Sequence, residues 1–95
     1  MIYKLTNKAA SDYARLYQYG IENFGYERAD SYAEGMEKQF QAIGENPLRY
    51  PAVDQYFDGC RRSVYYVHSI YYRQCTDCVE IVRILSREDI SRGLR

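Results

Sequence analysis

The sequence predicts an α+β domain: a short N-terminal strand, an antiparallel helical hairpin, then a three-stranded antiparallel β-meander. Three observations carry that prediction. Apolar residues recur at helical spacing through two consecutive segments between Asn7 and Asn46. Only Gly25 separates those segments, and so short a joint folds two helices back on each other. From Cys60 onward the chain turns to runs rich in Val, Ile and Tyr, set only a few residues apart. A chain of 95 residues makes one domain, residues 1–95, with a polar tail over about 88–95.

The elements follow in order. MIYKLT places Ile2, Tyr3 and Leu5 in a β-compatible run, the first strand. Thr6 or Asn7 then caps a helix by accepting backbone N–H bonds. Ala10, Tyr13, Ala14, Tyr17, Ile21 and Phe24 form one helical face. Gly25 ends it, because glycine readily adopts the left-handed cap conformation. The second helix begins near Tyr26 and buries Ala29, Tyr32, Ala33, Met36, Phe40 and Ile43, while Arg28, Glu34, Glu37 and Lys38 lie elsewhere on the wheel. Asn46-Pro47 ends this helix, since proline disfavours helix in the residue before it. NPLRYPAVDQYFDG reads as an irregular surface connection, and CRRSVY, HSIYYRQ and CVEIVRIL as three strands.

Lys and Arg together number 13, as do Asp and Glu, so no global field draws the protein to nucleic acid or membrane. All seven cations from residue 58 onward are Arg, suited to forked contacts with carboxylate or phosphate. No apolar run approaches the roughly 20 residues needed to span a bilayer, and no signal-peptide pattern opens the chain, so a cytoplasmic location is expected. Three cysteines, an odd number, fit a reducing compartment. Twelve tyrosines supply amphipathic rings for core edges and for a protein partner.

Cys75-Thr76-Asp77-Cys78 is a C-x-x-C. A zinc site needs about four ligands, and Cys60 and His68 are the other soft candidates. At about 3.3 Å per residue, His68 and Cys75 on one strand stand roughly 23 Å apart, too far for one metal. A thioredoxin-like motif wants its first cysteine at a helix N-terminus, and both lie in β context. The motif therefore reads as a tight turn, with a cross-strand disulfide under oxidation as the alternative. No metal or cofactor is expected.

Two-residue turns at Tyr66-Val67 and Thr76-Asp77 fix a register. Tyr65, His68, Ile70, Tyr72, Val79, Ile81 and Leu85 then face the helices. Arg62, Ser69, Tyr71, Arg73, Glu80, Val82, Ile84 and Ser86 share the other face, a contact surface or an ordinary solvated one, with Arg73 opposite Glu80. Arg61 and Arg83 fall on the core face, so either they reach out at the sheet edge or a bulge shifts the register. His68, the only histidine, reads as a packed or surface residue, and Asp12, Glu22 and Glu27 as solubilising charges on helix surfaces. No glycine-rich phosphate loop and no nucleophile triad is present, so no catalytic residue is named.

The segments YKLTNKAASDYARLYQYGIENFG, NPLRYPAVD, GCRRSVYYVHSIYYR and VEIVRIL stand in an order that resembles the ParE branch of the RelE/ParE toxins of bacterial type II toxin–antitoxin systems. The resemblance covers about residues 2–89 and implies a strand, a helical hairpin and a curved antiparallel sheet. RelE-like members cleave messenger RNA in the ribosome with basic residues on the exposed sheet face, where cations stabilise charge on the scissile phosphate. Against that pattern Arg62 matches one basic position, while Cys60 and Ser69 stand where Lys and Arg are usual. Arg87 or Glu88 falls near another basic position, Leu94 falls where an aromatic acid–base group belongs, and Ser86 replaces a common His. The resemblance to the ParE branch implies instead a protein that binds and inhibits DNA gyrase without catalysing a reaction. It implies a cognate antitoxin, ParD-like with a ribbon-helix-helix part, whose disordered tail folds on binding. The target-binding residues so implied are Arg62, Arg73, Arg83 and Arg87. A ribosome-dependent mRNA endonuclease and a non-toxic antitoxin-binding relative are the alternatives.

Overall fold

Thr6 shows how the first strand is joined to the first helix. Its Oγ1 accepts the Ala9 N–H at 3.0 Å, which caps the helix, and its hydroxyl donates to the Val82 carbonyl at 2.9 Å. In the computed structural model, which describes residues 1–87, the elements are β1 (Ile2–Leu5), α1 (Asn7–Phe24), α2 (Tyr26–Glu45), β2 (Arg61–Tyr65), β3 (His68–Gln74) and β4 (Cys78–Ser86). The expected polar tail, with Glu88 and Leu94, lies outside the described residues.

Gly25 forms the whole joint between the helices. At φ 88° it takes a conformation a side chain would strain, and its N–H donates to the Ile21 carbonyl at 3.0 Å. Asn46 ends α2 before Pro47, as the sequence requires. Gly44 serves contact rather than a turn: a Cβ there would stand 2.6 Å from the Met1 carbonyl oxygen, so the chain start lies directly on α2.

The four strands form one mixed sheet in the order β1-β4-β3-β2. β2, β3 and β4 make the expected meander, and β1 adds to it in parallel with β4, Ile2 opposite Cys78 and Leu5 opposite Ile81. Both assumed turns are present, since Tyr65 pairs with His68 and Gln74 with Val79. The register then shifts: Tyr72 faces Ile81, Tyr71 faces Arg83, and Val82 is the extra residue of a bulge. The bulge falls where β1 ends and α1 takes over the edge of β4. There Thr6 N–H donates to the Ile81 carbonyl and the Ile84 N–H donates to Asp12.

The bulge corrects the face assignment. Ile84 joins the core beneath the helices, and Leu85 turns to the opposite face, the reverse of the uniform alternation. Arg61 follows the edge alternative, donating to the Tyr50 carbonyl at 2.7 Å, and Arg83 follows the bulge alternative. Ala9, Met36, Phe40, Ile43, Ile70, Tyr72, Val79 and Ile81 fill the main core with Ile84. The α2 stripe is as expected. On α1, however, Ala10, Ala14 and Phe24 are exposed, and Ala9 and Asp12 are the buried positions. The helix is rolled by about one position because Asp12 serves the backbone of β4, a polar demand that an apolar count does not register.

The connection after α2 is irregular yet not merely superficial. Val53 N–H donates to the Cys60 carbonyl at 2.8 Å, and Arg62 N–H to the Pro51 carbonyl at 3.1 Å. These bonds fold the segment over the second sheet face, where Val53, Cys60, Tyr71 and Leu85 make a smaller core under Tyr56 and Phe57. Tyr56 meets Tyr71 edge-on at 5.2 Å.

Candidate functional site

Two regions bring the chemistry-bearing residues together. The first is a cleft of about 420 Å³ between α1 and the end of β4, whose apolar lining is Leu16, Tyr19, Val67 and Ile84. The bulge places Ile84 and Ser86 on this side. Arg15 and Arg87 stand at its rim, both exposed. His68 lines it as well, half-buried, with Nδ1 2.8 Å from the Tyr32 hydroxyl. Burial, and then the neighbouring Tyr65, push the Tyr32 phenol up to about 12.

Beside the cleft the β2–β3 turn exposes Tyr66 and Val67 at 77% and 66%. Tyr66 has φ 52°, the left-handed region that an aromatic residue seldom occupies. Its ring packs against Tyr65 at 4.8 Å and Tyr32 at 5.9 Å, and this stack holds the conformation. Tyr19 and Phe24, in edge contact at 6.4 Å, continue the apolar surface along α1. An apolar surface with cations at its margin has the composition of a protein-binding surface, in which Tyr and Arg are over-represented.

The second region lies on the other sheet face. Arg62 and Tyr71 are paired across β2 and β3, with Ser69 two residues before Tyr71 on the same face. Among the described residues, neither the Arg62 Nε nor the fully buried Tyr71 hydroxyl finds a hydrogen-bond partner of normal geometry. Burial raises the Tyr71 phenol, while the nearby Arg62 and Ser69 act against it. Cys60 is fully buried, and desolvation followed by Asp54 pushes its thiol up to about 11, so it stays protonated and is a poor nucleophile near neutral pH.

The structure does not gather the four sequence-derived arginines into one patch. Arg62 lies beside Tyr71. Arg73 pairs with Glu80 at 2.8 Å near the β3–β4 turn, as the register required. Arg83 donates to Asp12 from Nε and Nη2 at 2.8 and 3.1 Å, across the β4 edge. Arg87 alone of the four reaches the cleft. Asp12, read from sequence as a solubilising charge, is 3% exposed and also binds Arg15 at 2.7 Å. Sequence reasoning missed Arg15, Tyr19 and Val67. Their signal, a cation and a ring on one helix face near a turn aromatic, appears only once the fold brings α1 beside the β2–β3 turn. The C-x-x-C turns a corner: Cys75 N–H donates to the Cys78 carbonyl at 2.8 Å across Thr76-Asp77.

A family model described as the ParE toxin of the type II toxin–antitoxin system, parDE, matches residues 3–91. The chain is 29% identical over 91 residues to Toxin ParE1 of Caulobacter vibrioides, covering 96% of this chain and 94% of that protein. A solved structure titled as the chromosomal ParDE toxin–antitoxin system from P. aeruginosa shares the fold. It has a TM-score of 0.79 at 22% identity and covers 90% of this chain and 95% of that one. A match that runs through every element from β1 to the end of β4 places the chain in the ParE toxin family of type II toxin–antitoxin systems.

Proposed function

We propose that the protein is a toxin that binds and inhibits DNA gyrase in the cytoplasm and is neutralised by a cognate antitoxin. The observation that carries this reading is the cleft rimmed by Arg15 and Arg87 on a chain of this family. Its apolar lining and the flanking Tyr66 offer a protein partner a desolvated centre with a charged rim. Of the four arginines named from sequence, Arg87 and then Arg62 serve as target contacts. Arg73 and Arg83 act mainly within the fold, on Glu80 and Asp12.

Action by binding, without catalysis, agrees with the buried protonated Cys60 and the hydroxyl of Ser69 at positions where a nuclease of this superfamily carries cations. The antitoxin is read as ParD-like, a ribbon-helix-helix protein whose tail folds onto exposed apolar residues of the toxin; the structural relative, titled a ParDE toxin–antitoxin system, supports an antitoxin partner. Controlled expression in bacteria, with separate readouts of DNA breaks and mRNA cleavage, tests the proposal. DNA breaks with intact mRNA are expected. Codon-dependent cuts in the ribosomal A site would instead establish the endonuclease reading, and neither lesion would leave a non-toxic antitoxin-binding protein.

A further inference from the structure

The β3–β4 turn carries chemistry that gyrase binding does not use. Cys75 and Cys78 close this hairpin as a hydrogen-bonded pair, with Cys75 N–H on the Cys78 carbonyl at 2.8 Å. Directly opposed residues of that kind have Cα atoms about 5.5 Å apart, in the middle of the range a disulfide spans. That pairing sets both side chains on the same face of the hairpin. Neither is bridged, and they differ in access: Cys75 is half-buried at the surface, whereas Cys78 is 5% exposed. Burial, followed by the contact with Cys75, raises the Cys78 thiol. The third cysteine, Cys60, is fully buried in the smaller core.

We propose that Cys75 is a site of reversible oxidation by hydroperoxides and that Cys78 is its resolving thiol. The Cys75 thiolate attacks one oxygen of the peroxide. An S–O bond forms, the O–O bond breaks, and hydroxide (or the alcohol) leaves, giving a sulfenic acid. The Cys78 sulfur then attacks the Cys75 sulfur. An S–S bond forms, the S–O bond breaks, and the sulfenic oxygen leaves as water with the Cys78 proton. The two thiols have together given up two electrons to the peroxide, and an external thiol reverses the reaction by exchange. An accessible sulfur next to a resolving one is the arrangement that redox-sensing cysteines share. Because Ile2 pairs with Cys78 and Lys4 with Glu80, the bond would staple the hairpin at the place where β1 joins the sheet.

Hydrogen peroxide titration of the full chain, followed by alkylation and peptide mass spectrometry, tests this. The expected product is one Cys75–Cys78 linkage, with Cys60 alkylated only after unfolding and full reversal by dithiothreitol. Cys78→Ala should leave a Cys75 sulfenic acid that a dimedone probe captures, while Cys75→Ser should abolish both products. Should either variant fail to fold, the wild-type kinetics still decide: the linkage must appear before any sulfinic acid. Oxidation at Cys60 first, or overoxidation of wild-type Cys75 without a Cys78 linkage, would overturn the proposal.

Discussion

Asp12 on α1 and Arg83 on β4, 71 residues apart in sequence, are joined by hydrogen bonds of 2.8 and 3.1 Å. The same carboxylate accepts the Ile84 N–H at 3.0 Å, so one buried side chain satisfies a guanidinium and a strand edge together. Asp12→Ala leaves the Ile84 N–H without its acceptor and takes one carboxylate away from Arg83. It is expected to cost about 2 kcal/mol, because a buried donor left unpaired costs about 1–3 kcal/mol. Urea unfolding measures this, and a loss below about 1 kcal/mol would mean the pair behaves as a surface bridge.

Adjacent tyrosines should respond in opposite senses to loss of a hydroxyl. Tyr72 donates to the Pro47 carbonyl at 2.5 Å, so Tyr72→Phe should cost about 1 kcal/mol. The Tyr71 hydroxyl has no partner of normal geometry among the described residues, so Tyr71→Phe should be neutral or stabilising. Thermal unfolding of the two variants, side by side, checks the contrast.

Alkaline pH should unfold the protein through its phenols. Tyr13, Tyr32 and Tyr72 are each raised to about 12, burial being the largest cause in every case. Their neutral forms are favoured in the native state. That contribution is full below about pH 10, the unfolded phenol value, and is lost as pH rises through the folded value near 12. Tyrosinate absorbance and circular dichroism should therefore show late ionisation coinciding with loss of structure. Ionisation of every tyrosine near pH 10 with the fold intact would refute it.

Arg73 and Glu80 form a half-exposed bridge, with Arg73 52% accessible. A double-mutant cycle with alanine should give a coupling of about 0.5 kcal/mol that shrinks in high salt. Coupling of several kcal/mol would mean that the pair is shielded from solvent.

Arg87→Ala should leave stability within about 0.5 kcal/mol, as for most exposed positions. On the proposed function it should weaken gyrase inhibition tenfold or more, since a lost charged contact costs about 1–3 kcal/mol. Gyrase supercoiling assays, with antitoxin pull-down as a folding control, give the result. Inhibition at full strength by both Arg87→Ala and Arg62→Ala would move the target surface to Tyr19, Tyr66 and Val67.

Local signals in the sequence were enough for most of the fold. Gly25 and Asn46-Pro47 bound their helices because the backbone demands those residues, the two tight turns fall where the β runs are interrupted, and the α2 stripe follows from burial alone. What stayed hidden depends on distant partners. Nothing local tells β1 to pair with β4, and no pattern marks Val82 as the extra residue, since its bulge arises where α1 replaces β1 at the sheet edge. Asp12 looked solvated for the same reason: the β4 groups it binds, on Arg83 and Ile84, are more than 70 positions away. The candidate site was legible only as residue types. Arg62 and Arg87 could be named, but their separation onto two faces, and the company of Arg15 and Tyr19, come from the three-dimensional arrangement.

The parallel pairing of β1 with β4 also sets a timetable. On the ribosome, β1 and the helical hairpin emerge first, yet β4 supplies Val79, Ile81 and Ile84 to the core and carries the edge that Thr6 and Asp12 bind. Until residues 78–86 have left the exit tunnel, the amphipathic helices have no completed sheet to cover. Closing contacts between ends this far apart in the chain is the slow step in topologies of this kind. The nascent helical hairpin therefore waits, unpacked, for the strand that completes its core.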